Sequence, residues 1–254
     1  MSEHAGKVRI QKVLAEAGVA SRRSAEMMIL EGLVKVNGQI VHKLPCFVEE
    51  DDEIRVDGSV VRRHGSGRKT YFLINKPKGV VCSQTDLQQR PRVYDIVPPL
   101  GGQIYCVGSL DVDATGLVLL TSDGELAEIL NHPRYNVPRR YLVEVDGRVG
   151  VTTIEALKIG VIIDRRRSNP AKVKVLRRGP ERTLLELELV ESSGREVRPI
   201  LARLGHKSRR LKRTGLGPIS DVGIKIGHFR TLRSGEVTAI KRAGAAKGGP
   251  PRRR

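Results

Sequence analysis

The beginning of the chain carries the spacing of an amphipathic helix. Ile10, Val13, Leu14 and Ala17 recur at intervals of three and four residues, which is typical of one buried helical stripe. Gly18 suits the position just after the end of such a helix, where a left-handed backbone is common. The pattern therefore predicts a short helix with one face in a core.

A second helix and a hairpin are predicted next. Ser21 is a favourable N-cap for a helix that Gly32 would end. The pair Asn37-Gly38 between β-forming residues is the strongest short-range hairpin signal, because both central residues must take a positive φ. Another strand is expected over 53–57. We therefore expect residues 1–58 to form a small module of paired helices and short strands.

Alternating or wholly apolar runs predict strands in the rest of the chain. The five expected strands are 71–74, 117–120, 141–145, 173–175 and 185–189. Most of them alternate, so one face of the resulting sheet is expected to be covered.

Two helices accompany these strands. Ser122 and Glu125 form a capping-box pattern ahead of a helix that Pro133 stops. Apolar periodicity over 197–204 predicts the other helix, which Gly205 ends. Because strands and helices do not alternate regularly, the fold class is α+β with a mainly antiparallel mixed sheet.

Length and composition set limits on this picture. A chain of 254 residues suggests two domains, and 39% hydrophobic residues with only 3% aromatic residues imply an aliphatic core. Cys46, Cys82 and Cys106 lie far apart, without zinc-ligand spacing, so we expect free thiols and no metal. No apolar run is long enough to span a membrane, and we expect a cytoplasmic monomer.

The net charge of +18 favours a polyanionic partner. Residues 191–254 alone hold 17 basic and four acidic side chains. We expect a basic flexible linker at 59–69, a larger domain at 70–242 and a basic disordered tail at 243–254. The chain lacks an amphipathic basic pattern with Trp or Phe, so RNA is favoured over a membrane surface.

The N-terminal module offers a candidate RNA-binding face. Basic residues fall outside the apolar positions of its helices and first hairpin strand: Arg9, Lys12, Arg22, Arg23 and Lys35. This pattern is common to solvated helix pairs and to phosphate-binding surfaces. The module resembles an S4 RNA-binding domain in the run from Leu14 to Arg23 and in the later motifs Val36-Asn37-Gly38 and Val56-Asp57-Gly58. That resemblance implies binding to structured RNA.

Candidate chemistry is concentrated in the turn-rich segment 108–116. The segment holds Asp111 and Asp113 just before a predicted buried strand. Taken alone, such aspartates either make turns with nearby backbone N–H groups or present a carboxylate on a fixed scaffold. The chain contains no phosphate loop, dinucleotide fingerprint, nucleophile elbow or zinc-protease motif. Nucleotide-cofactor and zinc chemistry therefore lose support.

Motifs in this segment and beyond it follow one another in the order found in a known protein family. They are Lys76-Pro77-x-Gly79, Gly108-x-Leu110-Asp111, Thr115-Gly116-Leu117, Asp123-Gly124, His132-Pro133, Tyr141, Arg195-Glu196-Val197-Arg198, Gly205-His206, Leu211-Lys212-Arg213 and Gly217-Pro218. Together with the N-terminal module, the chain is similar to RsuA/RluB-type ribosomal RNA pseudouridine synthases over almost its whole length. The resemblance implies that the chain isomerises a uridine of ribosomal RNA, free or in a ribosomal subunit precursor, without a cofactor.

The same resemblance implies roles for individual residues. Asp111 corresponds to the essential aspartate, either as nucleophile or as the base that removes a ribose proton. Arg198 corresponds to its basic partner, and Tyr141 to a ring that packs on uracil and whose hydroxyl assists proton transfer at C5. Arg213 is expected to contact RNA.

Five positions depart from the family pattern. Ser109 stands in place of Arg, Ala114 in place of a hydroxyl residue, Arg139 of Lys, Glu196 of Gln, and Pro199 of a second Arg. Ser cannot reproduce a bidentate arginine contact with RNA. Ser109, Glu196 and Pro199 support an alternative hypothesis, a noncatalytic RNA-binding or ribosome-assembly protein that keeps the fold.

Overall fold

The N-terminal helices form where the apolar stripe predicts them. A computed structural model describes residues 7–62, 69–99, 103–191 and 195–245, and these residues fall into two compact units. The elements of the smaller unit are β1 Val8–Arg9, α1 Ile10–Glu16, α2 Arg22–Leu30, β2 Val34–Val36, β3 Gln39–Ile40, β4 Phe47–Val48, β5 Ile54–Val56 and β6 Ser59–Val60. Ile10, Leu14 and Ile29 are fully buried in the core of this unit, where they pack with Val34 and Ile54.

Two local predictions in this unit are confirmed. The Ser21 hydroxyl accepts a hydrogen bond from the backbone N–H of Ser24 at 3.1 Å, as an N-cap does. Asn37 and Gly38 have φ values of 49° and 81°, and they join β2 to β3 as a tight hairpin. Strands β3, β2, β5 and β6 form one antiparallel sheet in that order.

The segment expected to be a linker begins with a strand. Residues 59–60 form β6, in which Ser59 and Val60 pair with Val56 and Arg55 of β5. Asp57 and Gly58, both at positive φ, make the turn between these strands. The hairpin thus extends the sheet into the predicted linker, whose residues 63–68 lie outside the described residues.

The larger unit contains a nine-stranded mixed sheet. The strands and helices of the unit are β7 Tyr71–Lys76, β8 Tyr105–Val107, β9 Thr115–Thr121, α3 Gly124–Asn131, β10 Arg139–Asp146, α4 Val151–Ile159, β11 Ile162–Ile163, β12 Arg166–Arg167, β13 Lys172–Arg178, β14 Arg182–Leu189, α5 Val197–Arg203, β15 Ser208–Leu216, β16 Ile219–Ser220, β17 Phe229–Thr231 and α6 Ser234–Ala245, with 3-10 turns at Val93–Ile96 and Pro133–Tyr135. Strands β11 and β12 pair with each other outside the nine-stranded sheet. The main strand order is β13-β14-β10-β15-β9-β7-β17, with β8 beside β9 and β16 beside β15.

Antiparallel pairing dominates this sheet. Among its described strands, β9 and β15 make the one parallel pair, with Thr115 opposite Lys212 and Gly116 opposite Arg213. Gly116 has a φ of 109°, and a Cβ atom there would collide with the Arg213 backbone. The α+β fold class with a mainly antiparallel mixed sheet is confirmed, and glycine is required where the two strands meet.

Two apolar clusters cover the sheet. One contains Val143, Leu185 and Leu187 with the inward side of α5, and the other contains Leu119 and Leu126 with the inward side of α6. The alternation expected in β14 is observed, because every second residue from 183 to 189 is buried.

The start of helix α3 differs from prediction by one residue. The N-cap of α3 is Asp123 and not Ser122: the Asp123 carboxylate accepts from the backbone N–H of Leu126 at 3.3 Å, whereas Ser122 accepts from the N–H of Thr70. The buried Asp123 also accepts from the Tyr71 hydroxyl at 2.9 Å, and its charge is favourable at a helix N-terminus.

Helix α6 extends into the predicted tail. Residues 243–245 are helical, and residues 246–254 lie outside the described residues. Ile240 is fully buried in the second apolar cluster, so the helix has an apolar face that packs into the core. Within the described part of the chain, no helix combines the length and apolar character needed to cross a bilayer.

Candidate active site

The loop from Gly108 to Ala114 connects β8 to β9 and carries Asp111. Backbone hydrogen bonds hold it at both ends: the N–H of Gly108 donates to the Asn131 side chain at 3.3 Å, and the N–H of Ala114 donates to the Asp111 carbonyl at 3.1 Å. The loop's Val112 carbonyl accepts from the N–H of Gly79 at 2.8 Å. Asp111 therefore sits on a restrained backbone beside a buried strand.

Two arginines face the Asp111 carboxylate: Arg195, which precedes α5, and Arg198, in the first turn of α5. Arg198 Nε lies 3.4 Å from Oδ2, and Arg195 Nε lies 3.6 Å from Oδ1. The Asp111 side chain is 28% exposed, so this arrangement is neither fully solvated nor closed. The structure thus brings together Asp111 and Arg198, which the sequence analysis singled out, and adds Arg195.

Arg198 is itself oriented by three further acceptors. Its guanidinium donates to the Ser208 carbonyl at 3.2 Å, to the Ser208 hydroxyl at 3.1 Å and to the Asp113 carboxylate at 2.7 Å. Asp113 is therefore bound to the same cation as Asp111 but is more exposed. A guanidinium fixed in this way offers a constant positive charge to Asp111.

An open pocket of about 730 Å³ begins at this carboxylate. Its walls comprise the Asp111 loop, Arg195, Val81, Cys82 and residues from 83 to 90. Arg90 on this wall donates to both oxygens of Asp86, at 2.6 and 3.0 Å. The pocket is large enough for a nucleoside, and charged side chains stand at its edge. Among the described residues, no group of three His, Cys, Asp or Glu side chains is arranged to hold a metal ion.

Tyr141 lies in the interior, on β10. Its ring is 2% exposed and belongs to the same apolar cluster as Leu110, the residue before Asp111. Its hydroxyl donates to Glu191 Oε2 at 2.8 Å. Burial, with the Glu191 charge as a lesser cause, raises the pKa of Tyr141 and keeps the hydroxyl protonated at neutral pH.

Arg213 occupies a different place from the one predicted. Its side chain is 1% exposed, so the expectation that it contacts RNA is corrected. Its guanidinium donates to the carbonyl oxygens of Leu117 and Gly108 and so ties β15 to the start of the Asp111 loop. Leu211, two residues earlier, is also buried, and this period of two is the sequence signal that could have placed Arg213 inward.

Lys76 holds the other end of the same loop. The fully buried ammonium group donates to the carbonyls of Pro77, Val80 and Val112 at 3.0, 2.8 and 3.2 Å. Burial lowers the pKa of Lys76. The Lys-Pro-x-Gly motif carries no sequence signal for the contact of Lys76 with the loop at Val112.

The basic residues predicted in the smaller unit are all on its surface. Arg9, Lys12, Arg22, Arg23 and Lys35 are exposed. Lys12 lies 3.7 Å from Glu16, and the Arg9 guanidinium lies 6.0 Å from the centre of the Phe47 ring. Arg22 and Arg23 occupy the first turn of α2, where backbone N–H groups add to the positive field.

Several departures from the family pattern have structural counterparts. Arg139 is buried and pairs with Glu191 at 3.0 Å, and Pro199 lies in the first turn of α5, where its missing N–H is tolerated. Ala114 is fully buried. The backbone N–H of Glu196 donates to Glu191 Oε1 at 3.0 Å, whereas Ser109 is exposed at the surface of the Asp111 loop.

Comparisons with known proteins define the class to which this fold and site belong. The family model for RNA pseudouridylate synthase matches residues 70–203, and the S4 domain model matches residues 8–54. The chain therefore belongs to the RNA pseudouridylate synthase family and carries an S4 domain in front of the synthase domain.

Individual relatives agree over nearly the full length. An uncharacterized RNA pseudouridine synthase of Aquifex aeolicus is 39% identical and is matched over 98% of this chain and 99% of its own. Ribosomal large subunit pseudouridine synthase B of Bacillus subtilis is 37% identical over 92% of this chain and 95% of its own. A crystal structure of a pseudouridylate synthase, 30% identical, superposes with a TM-score of 0.66 and covers 92% of this chain and 99% of that one.

Proposed function

We propose that this chain isomerises a uridine of large-subunit ribosomal RNA to pseudouridine, with Asp111 as the reacting carboxylate. The observation that carries the proposal is the position of Asp111: it lines an open pocket on a restrained loop, with two guanidinium groups within 3.6 Å. The choice of RNA follows relatives named ribosomal large subunit pseudouridine synthase B. In this proposal the chain acts as a cytoplasmic monomer.

The reaction breaks the bond between N1 of uracil and C1′ of ribose, turns the base, and forms a bond from C5 to C1′. The proton on C5 leaves and N1 gains one, so the product is an isomer. Asp111 serves either by attacking C1′ or by removing a ribose proton, and both routes need a carboxylate fixed beside the sugar. Because a paired uridine cannot reach a pocket, the nucleotide must be extruded from its helix first.

Arg198 is proposed to stabilise the negative charge of Asp111 and to keep its orientation. The three hydrogen bonds from Arg198 to Ser208 and Asp113 support this role, because they fix the guanidinium before RNA arrives. Arg195, which is 56% exposed, is available both to Asp111 and to an incoming phosphate.

Tyr141 is proposed to form the inner wall of the uracil site, on the side of the protein interior, and to help move the C5 proton. A hydroxyl that already donates to a carboxylate can accept a proton on its oxygen while passing its own proton on. The hydrogen bond from Tyr141 to Glu191 supports such a relay.

The S4 domain is proposed to bind structured RNA through its exposed cations. Arg22 and Arg23 at the start of α2 combine side-chain charge with the field of a helix N-terminus, which suits a phosphate backbone. Arg9, Lys12 and Lys35 add further positive charge on the same domain.

Release of tritium from RNA labelled at C5 of uridine tests the assignment of Asp111. We expect release with the wild-type chain and a loss of at least about 10³-fold with Asp111→Asn, while RNA binding persists. Asp113→Asn is the matched control, since it removes a neighbouring carboxylate that contacts the same arginine, and a loss of less than tenfold is expected. Chemical mapping of the RNA then locates the new pseudouridine.

Two results would refute this proposal. Equal losses with both variants would remove the special role of Asp111. Tight RNA binding by the wild-type chain without tritium release from any ribosomal RNA would favour the noncatalytic alternative.

A further inference from the structure

In the half of the large sheet formed by β13, β14, β10 and β15, one face is charged. Val143 and Val145 of β10 are fully buried in the apolar cluster under α5, so Glu144 between them points to the opposite face. Asp111 lies on the α5 side of the sheet, because Arg198 of that helix faces its carboxylate. The charged face is therefore distinct from the side that presents Asp111.

Three arginines from three strands converge on the Glu144 carboxylate. Arg177 of β13, Arg182 of β14 and Arg210 of β15 lie 3.9, 3.8 and 3.6 Å from its oxygens. Their side chains are between 58% and 83% exposed, whereas Glu144 is buried. These four residues are called the Glu144 cluster below.

The carboxylate attracts the three cations without taking up their hydrogen-bond donors. Each of the three distances exceeds the length of a charge-assisted hydrogen bond, about 2.7–2.9 Å, and Glu144 Oε2 has no hydrogen-bond partner among the described residues. Each guanidinium carries about five N–H donors. The cluster therefore presents donors to solvent, and its three cations outnumber its single anion.

A β-bulge in β13 places Arg177 in this cluster. The pairing of β13 with β14 skips Leu176, so that Arg177 is opposite Leu184. Leu184 is in turn opposite Glu144 of β10. Because residues opposite each other share a face of the sheet, the bulge puts an arginine, and not Leu176, in the row that contains Glu144.

A second bulge, in β15, occupies the neighbouring carboxylate of this face. The pairing with β10 skips Arg209, whose Nε lies 2.7 and 2.8 Å from the two oxygens of Asp146. Asp146 is directly opposite Arg182, which turns to Glu144 instead. Because β15 is an inner strand, protection of a sheet edge does not explain this bulge. The bulge leaves the excess positive charge of the Glu144 cluster in place.

We propose that the Glu144 cluster binds the phosphate backbone of RNA, on the side of the sheet opposite to Asp111. Guanidinium groups bind phosphate oxygens through paired N–H donors, and one buried carboxylate already holds three of these groups close together. A protein partner is disfavoured, because protein interfaces are depleted of charge at their centre. The RNA bound here is a different segment from the one that supplies the uridine.

A variant with Arg177→Gln and Arg210→Gln, called the arginine pair variant, tests this surface. Arg182 stays beside Glu144 in this variant, so the buried carboxylate keeps a counter-charge and the fold is retained. With protein-free total ribosomal RNA, we expect the slope of log K against log salt to fall by up to about two and the affinity at about 0.1 M salt to fall at least about tenfold. Arg177→Lys with Arg210→Lys keeps both charges and should retain most of the slope.

Lys158→Gln with Lys172→Gln is the charge-matched control. Each lysine is paired with one exposed or half-buried carboxylate, Lys158 with Glu155 at 2.9 Å and Lys172 with Glu188 at 2.8 Å. We expect this control to bind RNA as the wild type does. Equal reductions in the two pair variants would overturn the proposal. Equal slopes for the wild type and the arginine pair variant would also overturn it, and would leave the cluster to an acidic protein or to solvent.

Chemical modification by phenylglyoxal, read by mass spectrometry, locates the contact. Bound RNA should slow the modification of Arg177 and Arg210 in the wild type and equally in Asp111→Asn, and unprotected arginines in the complex would overturn the proposal. Because this readout needs no turnover, failure of the proposed activity is distinguishable from failure of this surface. Where tritium is released, the arginine pair variant should reach the wild-type rate at saturating RNA and be at least about tenfold slower at limiting RNA.

Discussion

The carboxylate of Glu191 accepts a hydrogen bond from the hydroxyl of Tyr141 at 2.8 Å. The same oxygen lies 3.0 Å from the Arg139 guanidinium, and the other oxygen accepts from the backbone N–H of Glu196 at 3.0 Å. One buried carboxylate therefore connects β10 to the segment that leads to Arg198. The buried Arg139 cation requires a negative charge on this side chain, and the Tyr141 hydroxyl and the Glu196 N–H require oxygens that accept hydrogen bonds.

Glu191→Gln should destabilise the synthase domain strongly. The substitution leaves the Arg139 cation buried without its counter-charge, and we expect the free energy of unfolding to fall by about 3–5 kcal/mol. Glu188→Gln is the matched control, because its partner Lys172 is exposed, and a change of less than about 1 kcal/mol is expected. Urea denaturation measures both, and equal effects would contradict the buried pair as a source of stability.

Tyr141→Phe should slow the chemical step more than it weakens RNA binding. The ring remains, but the proton path to Glu191 is lost, and we expect single-turnover tritium release to fall by about 10²-fold. Tyr135→Phe serves as control, since that hydroxyl accepts a hydrogen bond at 2.6 Å from an exposed arginine, Arg134. Unchanged release from Tyr141→Phe would restrict the role of this residue to packing.

Arg213→Lys should destabilise the fold while sparing RNA affinity. A lysine cannot serve the carbonyls of both Gly108 and Leu117 with a planar fork, and leaving one of them unpaired costs about 1–3 kcal/mol. Arg210→Lys, at an exposed position of the same strand, should leave stability nearly unchanged. Thermal denaturation and filter binding separate the two effects; a large loss of affinity with unchanged stability would restore Arg213 as an RNA contact.

RNA binding should weaken steeply with salt, and the S4 domain should contribute to that dependence. Each cation on a phosphate releases counterions, so replacing both Arg22 and Arg23 with Gln should reduce the slope of log K against log salt by up to about two. Lys172→Gln, an exposed charge on the edge strand of the other domain, is the comparison. If Lys172→Gln reduced the slope as much as replacement of Arg22 and Arg23 does, a special role for the α2 N-terminus would be refuted.

Acid should remove the contribution that the Glu236 carboxylate, on helix α6, makes to the stability of the fold. Two hydrogen bonds from Arg230, at 2.7 and 2.8 Å, lower the pKa of Glu236 from its usual 4.5. The folded state therefore gains stability from this carboxylate above pH 4.5 and loses it as the pH falls below that value. We expect wild type and Glu236→Gln to differ by about 1 kcal/mol at neutral pH and to converge in acid.

Melting temperatures recorded from neutral pH to below 4.5 measure this difference. Glu155→Gln, whose exposed carboxylate pairs with Lys158 at 2.9 Å, should show little difference at any pH. A Glu236→Gln difference that persists unchanged at the acid end would contradict the assignment.

Local signals in the sequence predicted the small elements well. Ser21 and Asn37-Gly38 act through their immediate neighbours, so a cap and a tight turn can be inferred without the rest of the chain. Helix α4 was not predicted, because its nine residues begin after Gly150 and bury only Leu157. Its weak apolar stripe gives little periodic signal.

The candidate site was harder to predict because its supports are contacts between distant segments. Strand β15 was not predicted, since the run of basic residues around Leu211 hides its alternation. Consequently, the buried position of Arg213 was missed although Leu211 lies two residues before it, and its hold on Gly108, a contact between distant segments, could not be inferred. The proximity of Arg195 to Asp111 likewise depends on a turn at which Arg195 has a φ of 56°, an uncommon value for a residue other than glycine.

The parallel pair β9–β15 joins two antiparallel halves of the sheet, and each half supplies one support of the Asp111 loop: Lys76 from the first and Arg213 from the second. Where β9 and β15 pair, there is no room for even one methyl group between Gly116 and the Arg213 backbone. The alignment of the carboxylate therefore depends on how closely the halves approach. Gly116→Ala would leave every reacting group in the chain unaltered, yet its methyl group would push β9 and β15 apart. The Asp111 loop would then be displaced from its hydrogen bonds with Lys76 and Arg213.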